Sequence, residues 1–86
     1  MQALRAIGCT VYSLAEVGNG VPDLLVGYHG VNLLLEVKDG AKPPSARKLT
    51  PDQQQFHATW RGQKVVVTSV NEALAAVGVM NDWKPR

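Results

Sequence analysis

The segment Asp23-Leu24-Leu25-Val26-Gly27-Tyr28-His29-Gly30-Val31-Asn32-Leu33-Leu34-Leu35-Glu36-Val37-Lys38 sets two apolar runs on either side of a short polar element, His29-Gly30. That is the pattern of a β-hairpin. With the turn centred on His29 and Gly30, facing residues have numbers that sum to 59, for a two- or a four-residue loop alike. Asp23 then faces Glu36. Residues so paired hold their Cβ atoms roughly 4.5 to 5.5 Å apart, and like charges in that position destabilise the sheet unless something compensates. A hard divalent cation would compensate. Magnesium and manganese take carboxylate, carbonyl and water oxygens, and magnesium is often held by one or two carboxylates with several waters retained.

Alternation along the strands fixes what each face carries. Leu24, Val26, Leu33, Leu35 and Val37 make one wholly apolar face, and Asp23, Leu25, Leu34, Glu36 and Lys38 make the other. The second face is apolar in its middle and charged at one end, as expected of a reactive site at the end of a buried sheet. A lysine beside a metal can hold an attacking water or stabilise the charge that develops on a phosphodiester. The competing reading is a surface Glu36/Lys38 pair at a fraying hairpin end, with Asp23 as a turn residue after Pro22. The register, together with the preceding Gly20-Val21-Pro22-Asp23 turn, favours the site.

Further motifs follow in order: Lys48-Leu49-Thr50-Pro51-Asp52-Gln53 and then Trp60-Arg61-Gly62. With Gly20-Val21-Pro22-Asp23-Leu24-Leu25-Val26-Gly27 and Leu35-Glu36-Val37-Lys38, the set resembles the VRR-NUC branch of the PD-(D/E)XK nuclease superfamily over roughly residues 4 to 74. The resemblance implies an α/β fold with a restriction-endonuclease-like αβββαβ core, a mixed sheet flanked by helices. It also implies magnesium- or manganese-dependent endonucleolytic cleavage of DNA, including branched DNA such as Holliday junctions, by a homodimer. On it, Asp23, Glu36 and the backbone carbonyl of Val37 would hold the metal, Lys38 would be the catalytic lysine, and Gln53 the helix glutamine beside them. One element of the family pattern is missing. The family usually carries an acidic residue on an N-terminal helix, whereas nothing before Glu16 is acidic and residues 1–7 read as only the last two turns of a shortened helix. Glu16, in a loop before Gly18-Asn19-Gly20, is a poor substitute. The alternative is therefore a catalytically weak or inactive DNA-binding module of the same fold that needs a partner. An unrelated small α/β interaction domain with an accidental charge cluster is the third reading.

At 86 residues the chain is read as one domain. A chain of that size buries only about 60 to 65% of its unfolded surface, so modest stability is expected and burial against a second copy would help. Hydrophobic residues at 45% and charged residues at 19% fit a globular chain rather than a disordered one. No apolar run approaches the roughly 20 residues of a membrane span, and no secretory pattern opens the chain. Cys9, alone, reads as a small buried hydrophobe in a strand from Cys9 to Leu14. The expected compartment is a reducing cytoplasm, bacterial or of a phage-infected cell.

The net charge of +2 permits nucleic-acid binding without arguing for it. Its distribution says more: Lys38, Lys42, Arg47 and Lys48 crowd around Pro43-Pro44-Ser45, in a stretch (39–49) that reads as a flexible basic loop leaving the charged end of the hairpin. Lys42, Arg47 and Lys48, with Arg61 further on, are candidate phosphate contacts. Thr50-Pro51-Asp52-Gln53 opens a helix running to about Arg61. Gln53 has two roles open to it, in the site or closing a capping box with Thr50. Gln53, Phe56, His57 and Trp60 share one helix face. Phe56 and Trp60 read as core or interface, and His57 as partly buried packing that could also approach DNA. Gln63 to Ser69 reads as a strand covered on both faces, and Asn71 to Gly78 as a short helix capped by Asn71 or Ser69. In the tail, 80–86, Trp83 is expected to pack on the body or on another subunit.

Overall fold

His29 and Gly30 both adopt positive φ, +51° and +78°. This is the mirror-image two-residue turn whose twist matches the flanking strands. It joins strand β2 (Leu24–Tyr28) to β3 (Val31–Val37) with Leu24 opposite Leu35, Val26 opposite Leu33 and Tyr28 opposite Val31. Every pair sums to 59, as the sequence requires. In this computed structural model residues 2–81 are described, the side chains as far as residue 78. The placement expected for Trp83 lies outside the described residues.

Strand β1 (Thr10–Ser13) pairs antiparallel with β2, and β4 (Lys64–Val67) pairs parallel with β3, giving a mixed sheet in the order β1-β2-β3-β4. Helix α1 (Gln2–Ala6) precedes the sheet, α2 (Pro51–Thr59) makes the crossover from β3 to β4, and α3 (Val70–Asn81) follows. The chain is thus α/β, with the expected αβββαβ order and one more helix. Helices α1 and α3 cover one face. There Leu4, Val26, Leu35, Val67, Ala73 and Val77 are fully or almost fully buried, joined by Cys9, Val11 and Leu33. The apolar set assigned to this face from alternation is the core, except that Val37, at the end of its strand, is partly exposed. Cys9 is buried with a free thiol.

Several expectations differ from the structure. The β4 segment is not covered on both faces: it is the edge strand, and only Val67 is buried, because β3 is its sole neighbour and α2 leaves Val66 38% exposed. Helix α2 stops at Thr59 rather than Arg61, since Trp60 is already extended (φ −69°, ψ +126°), and it buries no residue completely. Phe56 and Trp60 therefore belong to no core; they stack on each other with ring centroids 5.3 Å apart. Within residues 39–49, Pro44–Arg47 form a short 3-10 turn. Helix α3 runs longer than expected, to Asn81, and Ser69 is its cap, its Oγ accepting from the Glu72 N–H at 3.1 Å.

Candidate active site

Asp23 follows Pro22, which is fully buried, and the Asp23 carbonyl accepts from the Leu14 N–H at 2.7 Å. This prolongs the β1–β2 ladder by one residue, so the Asp23 backbone is held in register beyond the end of the strand. Its carboxylate reaches across to β3, where Oδ2 accepts the Val37 N–H at 2.8 Å. Glu36, beside it, is 1% exposed, and its Oε1 has no hydrogen-bond partner. A buried carboxylate oxygen without a partner is costly. Burial is the first cause that pushes the Glu36 carboxyl up, to about 7; a hydrogen bond to Asp23 and the Asp23 charge add to it, and Lys38 opposes. The two carboxyl groups lie side by side, and each disfavours ionisation of its neighbour.

The third element comes from α2. Thr50 caps the helix, its Oγ1 accepting the Gln53 N–H at 3.2 Å, while Gln53 Oε1 accepts the Thr50 N–H at 2.9 Å. The same Oε1 accepts from Lys38 Nζ at 2.7 Å. One Gln53 oxygen thus closes the capping box and also anchors the lysine, which a carbonyl with two lone pairs can do. Lys38 is drawn to the helix N-terminus without being neutralised by a carboxylate there.

Gly20 decides how closely α2 approaches. It sits at φ +77°, after Gly18 (+73°) and Asn19 (+58°), and a Cβ placed on it would collide with the backbone of Asp52 and Gln53. The loop leading into Asp23 therefore lies directly on the first turn of the helix that carries Gln53, a contact open only to glycine.

Asp23, Glu36, Lys38 and Gln53 are thus brought together at one sheet end. The phosphate-contact candidates are spread out. Lys42, Lys48 and Arg61 are exposed. Arg47 is half-buried, its Nε buried without a partner and its charge felt by Glu72 of α3, so it turns back towards the body. Lys64 has no site role in the sequence, and His57 reads there as partly buried packing that could also approach DNA. His57 Nε2 is buried without a partner, and burial, then Lys64, then Lys38 hold its pKa below the usual imidazole value. It is therefore neutral at pH 7, between two lysines. Lys64 faces Leu34 on the same sheet face as Glu36, a position set by the parallel β3–β4 register and invisible in a local pattern.

Among the described residues no group of three or more His, Cys, Asp or Glu side chains is placed to hold a metal, and Glu16 is exposed in its loop. The donor set is two carboxylates. That fits magnesium or manganese, which accept carbonyl and water oxygens for the remainder, and the unpartnered Glu36 Oε1 is the atom a cation would satisfy. It does not fit a closed structural zinc centre, which needs four protein ligands. No helix among the described residues is long and apolar enough to cross a membrane. Comparison with protein-family models, curated proteins and solved structures finds no match.

Proposed function

We propose that this chain is a metal-dependent DNA endonuclease that hydrolyses phosphodiester bonds with magnesium or manganese. The observation that carries the reading is the Asp23–Glu36 pair: two carboxyl groups side by side at one sheet end, the buried one with an unpartnered oxygen and a pKa of about 7. Asp23, Glu36 and the Val37 carbonyl would hold the cation. A bound divalent ion supplies a more acidic water and a counter-charge for the phosphate. The Val37 N–H fixes the Asp23 carboxylate, so that it enters the site already oriented. Lys38 contributes a charged donor aimed by Gln53, suited to holding the attacking water or a non-bridging phosphate oxygen. Lys42, Lys48 and Arg61 remain exposed for flanking phosphates. A homodimer acting on branched DNA, with one site for each strand, belongs to the same proposal.

The test is cleavage of a four-way junction and a matched linear duplex by wild type and Lys38→Ala in magnesium, manganese or EDTA. Cutting that needs metal and is lost in the variant supports the reading. DNA binding without cutting at any metal concentration favours a second reading, for which the two-carboxylate site is the observation: a binding module that needs a partner chain to supply a third acid.

Two variants divide the roles of Gln53. Thr50→Ala removes half of the capping box and is expected to lower stability by about 1 kcal/mol with little effect on rate. Gln53→Ala removes the other half of the box and the Lys38 anchor together, so its turnover is expected to fall by at least about tenfold. Equal rates for the two would mean that Gln53 acts only through the helix.

Protonation gives an independent readout. The Glu36 pKa is raised from 4.5 to about 7 in the folded chain, so the folded state binds this proton more tightly than the unfolded one. Stability from this group is present at acidic pH and is lost as pH rises between those two values. A cation replaces the proton. Manganese should therefore raise the melting temperature more at pH 8 than at pH 5.5, as scanning calorimetry would show, and an equal shift at both would place the ion elsewhere.

A further inference from the structure

On the sheet face that carries Glu36, a cavity of about 410 Å³ opens one to two residue pairs further along the strands. Its floor is Leu25 and Leu34, one wall is Trp60 with the Gly62 backbone, and Asn32 and Gln63 bring amide groups. The Trp60 indole is folded back so closely that a Cβ on Gly62 would lie 2.7 Å from its Nε1. Trp60 remains 45% exposed although it stacks on Phe56, so one aromatic surface faces outwards. Tyr12, opposite Leu25 in the β1–β2 register and 66% exposed, extends the platform. The Gln63 Oε1 is buried and has no partner.

We propose that this cavity is a nucleobase site, which takes an unpaired base of the DNA strand close to the phosphate that is cut. Its volume lies in the range of small-ligand pockets, and an apolar floor with an aromatic wall and few polar groups is how flat heteroaromatic rings are held. The amides select an unpaired base. A base in a duplex has its Watson–Crick edge occupied, whereas one that enters the cavity can give an N–H to Gln63 Oε1 and exchange hydrogen bonds with Asn32. Charge argues for a nucleotide over an apolar peptide or a second copy of this chain. Arg61 follows Trp60 directly, and Lys64 is level with the Leu34 floor on the edge strand, two residues from the Glu36 row, beside the line a backbone phosphate would take. The spacing also fits. The Leu25–Leu34 pair is two residues along each strand from the Glu36 row, about 6.6 Å, close to the step between neighbouring phosphates of an extended strand. The position of the cut rests on the nuclease reading; the base site does not. The substrate so defined is DNA with an unpaired nucleotide beside the scissile bond, a frayed end, a flap or a junction arm, in preference to blunt duplex.

The test uses the full chain with Trp83→Phe, so that Trp60 is the sole indole, in EDTA, where cleavage plays no part. Single-stranded oligodeoxynucleotides should quench Trp60 emission, blunt duplex should do so weakly, and the matched oligonucleotide made wholly of abasic sugars should not. In the otherwise native chain, Trp60→Ala should weaken single-strand binding by about five- to a hundredfold, measured by anisotropy of labelled DNA, with duplex binding little changed. Trp60→Phe should restore most of it. Unperturbed emission with DNA bound, or equal binding of the abasic strand, overturns the proposal, as does absence of binding. A concentration-dependent dimer that Trp60→Ala dissolves would assign this face to a second copy instead. Base binding without metal-dependent cutting would leave the site standing and remove the nuclease reading. If cleavage is present, Trp60→Ala should erase any preference for frayed over blunt ends while Lys38→Ala abolishes cutting of both, and a preference untouched by Trp60→Ala would also count against the pocket.

Discussion

Glu36→Gln is expected to abolish metal-dependent cleavage and, at pH 8, to make the metal-free protein more stable than wild type. The two effects have one cause. At that pH Glu36 is ionised although it is only 1% exposed, next to a second carboxylate and with one oxygen unpartnered. The rise in its pKa from 4.5 to about 7 corresponds to a penalty of order 3 kcal/mol on the charged folded state. Glutamine is neutral and nearly isosteric. Its amide can donate to Asp23 as the proton of the neutral acid does, although the burial of an amide takes back part of the gain. A net stabilisation of about 1 to 2 kcal/mol should raise the melting temperature by roughly 5 to 15 °C in a domain of this size. Below pH 4.5, where the glutamate is protonated in both folded and unfolded chains, the gain should be gone and only the burial cost of the amide should remain, leaving the variant slightly less stable than wild type. On the proposed function, loss of one of the two carboxylates that would hold the metal should lower turnover by several orders of magnitude, and manganese should no longer raise the melting temperature. A residue kept for structure would behave in the opposite way: the variant would be less stable at every pH. Thermal melts at pH 4 and pH 8, with and without manganese, separate the two cases before any nuclease assay is run.

Gly20→Ala should be the most damaging single-methyl change in the chain. Its positive φ alone costs an alanine about 1 to 2 kcal/mol, and the added carbon would meet the Asp52 carbonyl and the Gln53 amide nitrogen, which are backbone and have no rotamer to escape into. The first turn of α2 must move, and with it the Oε1 that holds Lys38. The expected outcome is a loss of about 3 kcal/mol or more, which lowers the melting temperature by more than about 12 °C, together with a loss of turnover beyond what the stability change explains. Gly18→Ala is the control. Gly18 also has positive φ, +73°, but nothing lies within 4 Å of its added Cβ, so it carries the conformational cost without the collision. Equal melting temperatures for the two variants would mean that α2 does not rest on this loop as described.

Much of this was legible in the chain because it follows from local rules. His29-Gly30 is a turn that few other pairs could make, and once the turn is placed the pairing of β2 with β3 has no freedom left. The pairing set the two faces of the hairpin and put Asp23 next to Glu36 with Lys38 on the same side. Thr50-Pro51-Asp52-Gln53 announced the start of α2 by capping chemistry confined to four residues, and both bonds of the box are present. Each of these depends on separations of a few residues, where backbone geometry leaves few solutions.

What the sequence did not determine depends on how much solvent the assembled fold removes and on contacts between distant segments. The four valine and lysine residues of β4 fit a central strand as well as an edge, and only the final strand order exposes Val66. Phe56 and Trp60 read as core or interface, yet α2 buries none of its side chains completely, and Trp60, just past its end, turns out to wall a cavity. The burial of Glu36, the reach of Gln53 to Lys38 and the seat of Gly20 on α2 join residues more than a dozen positions apart. Sequence therefore determined which groups share the charged end of the sheet. Tertiary structure alone decided their chemistry, because a carboxylate's pKa and a lysine's orientation follow from desolvation and from partners that only the closed fold brings within hydrogen-bonding distance.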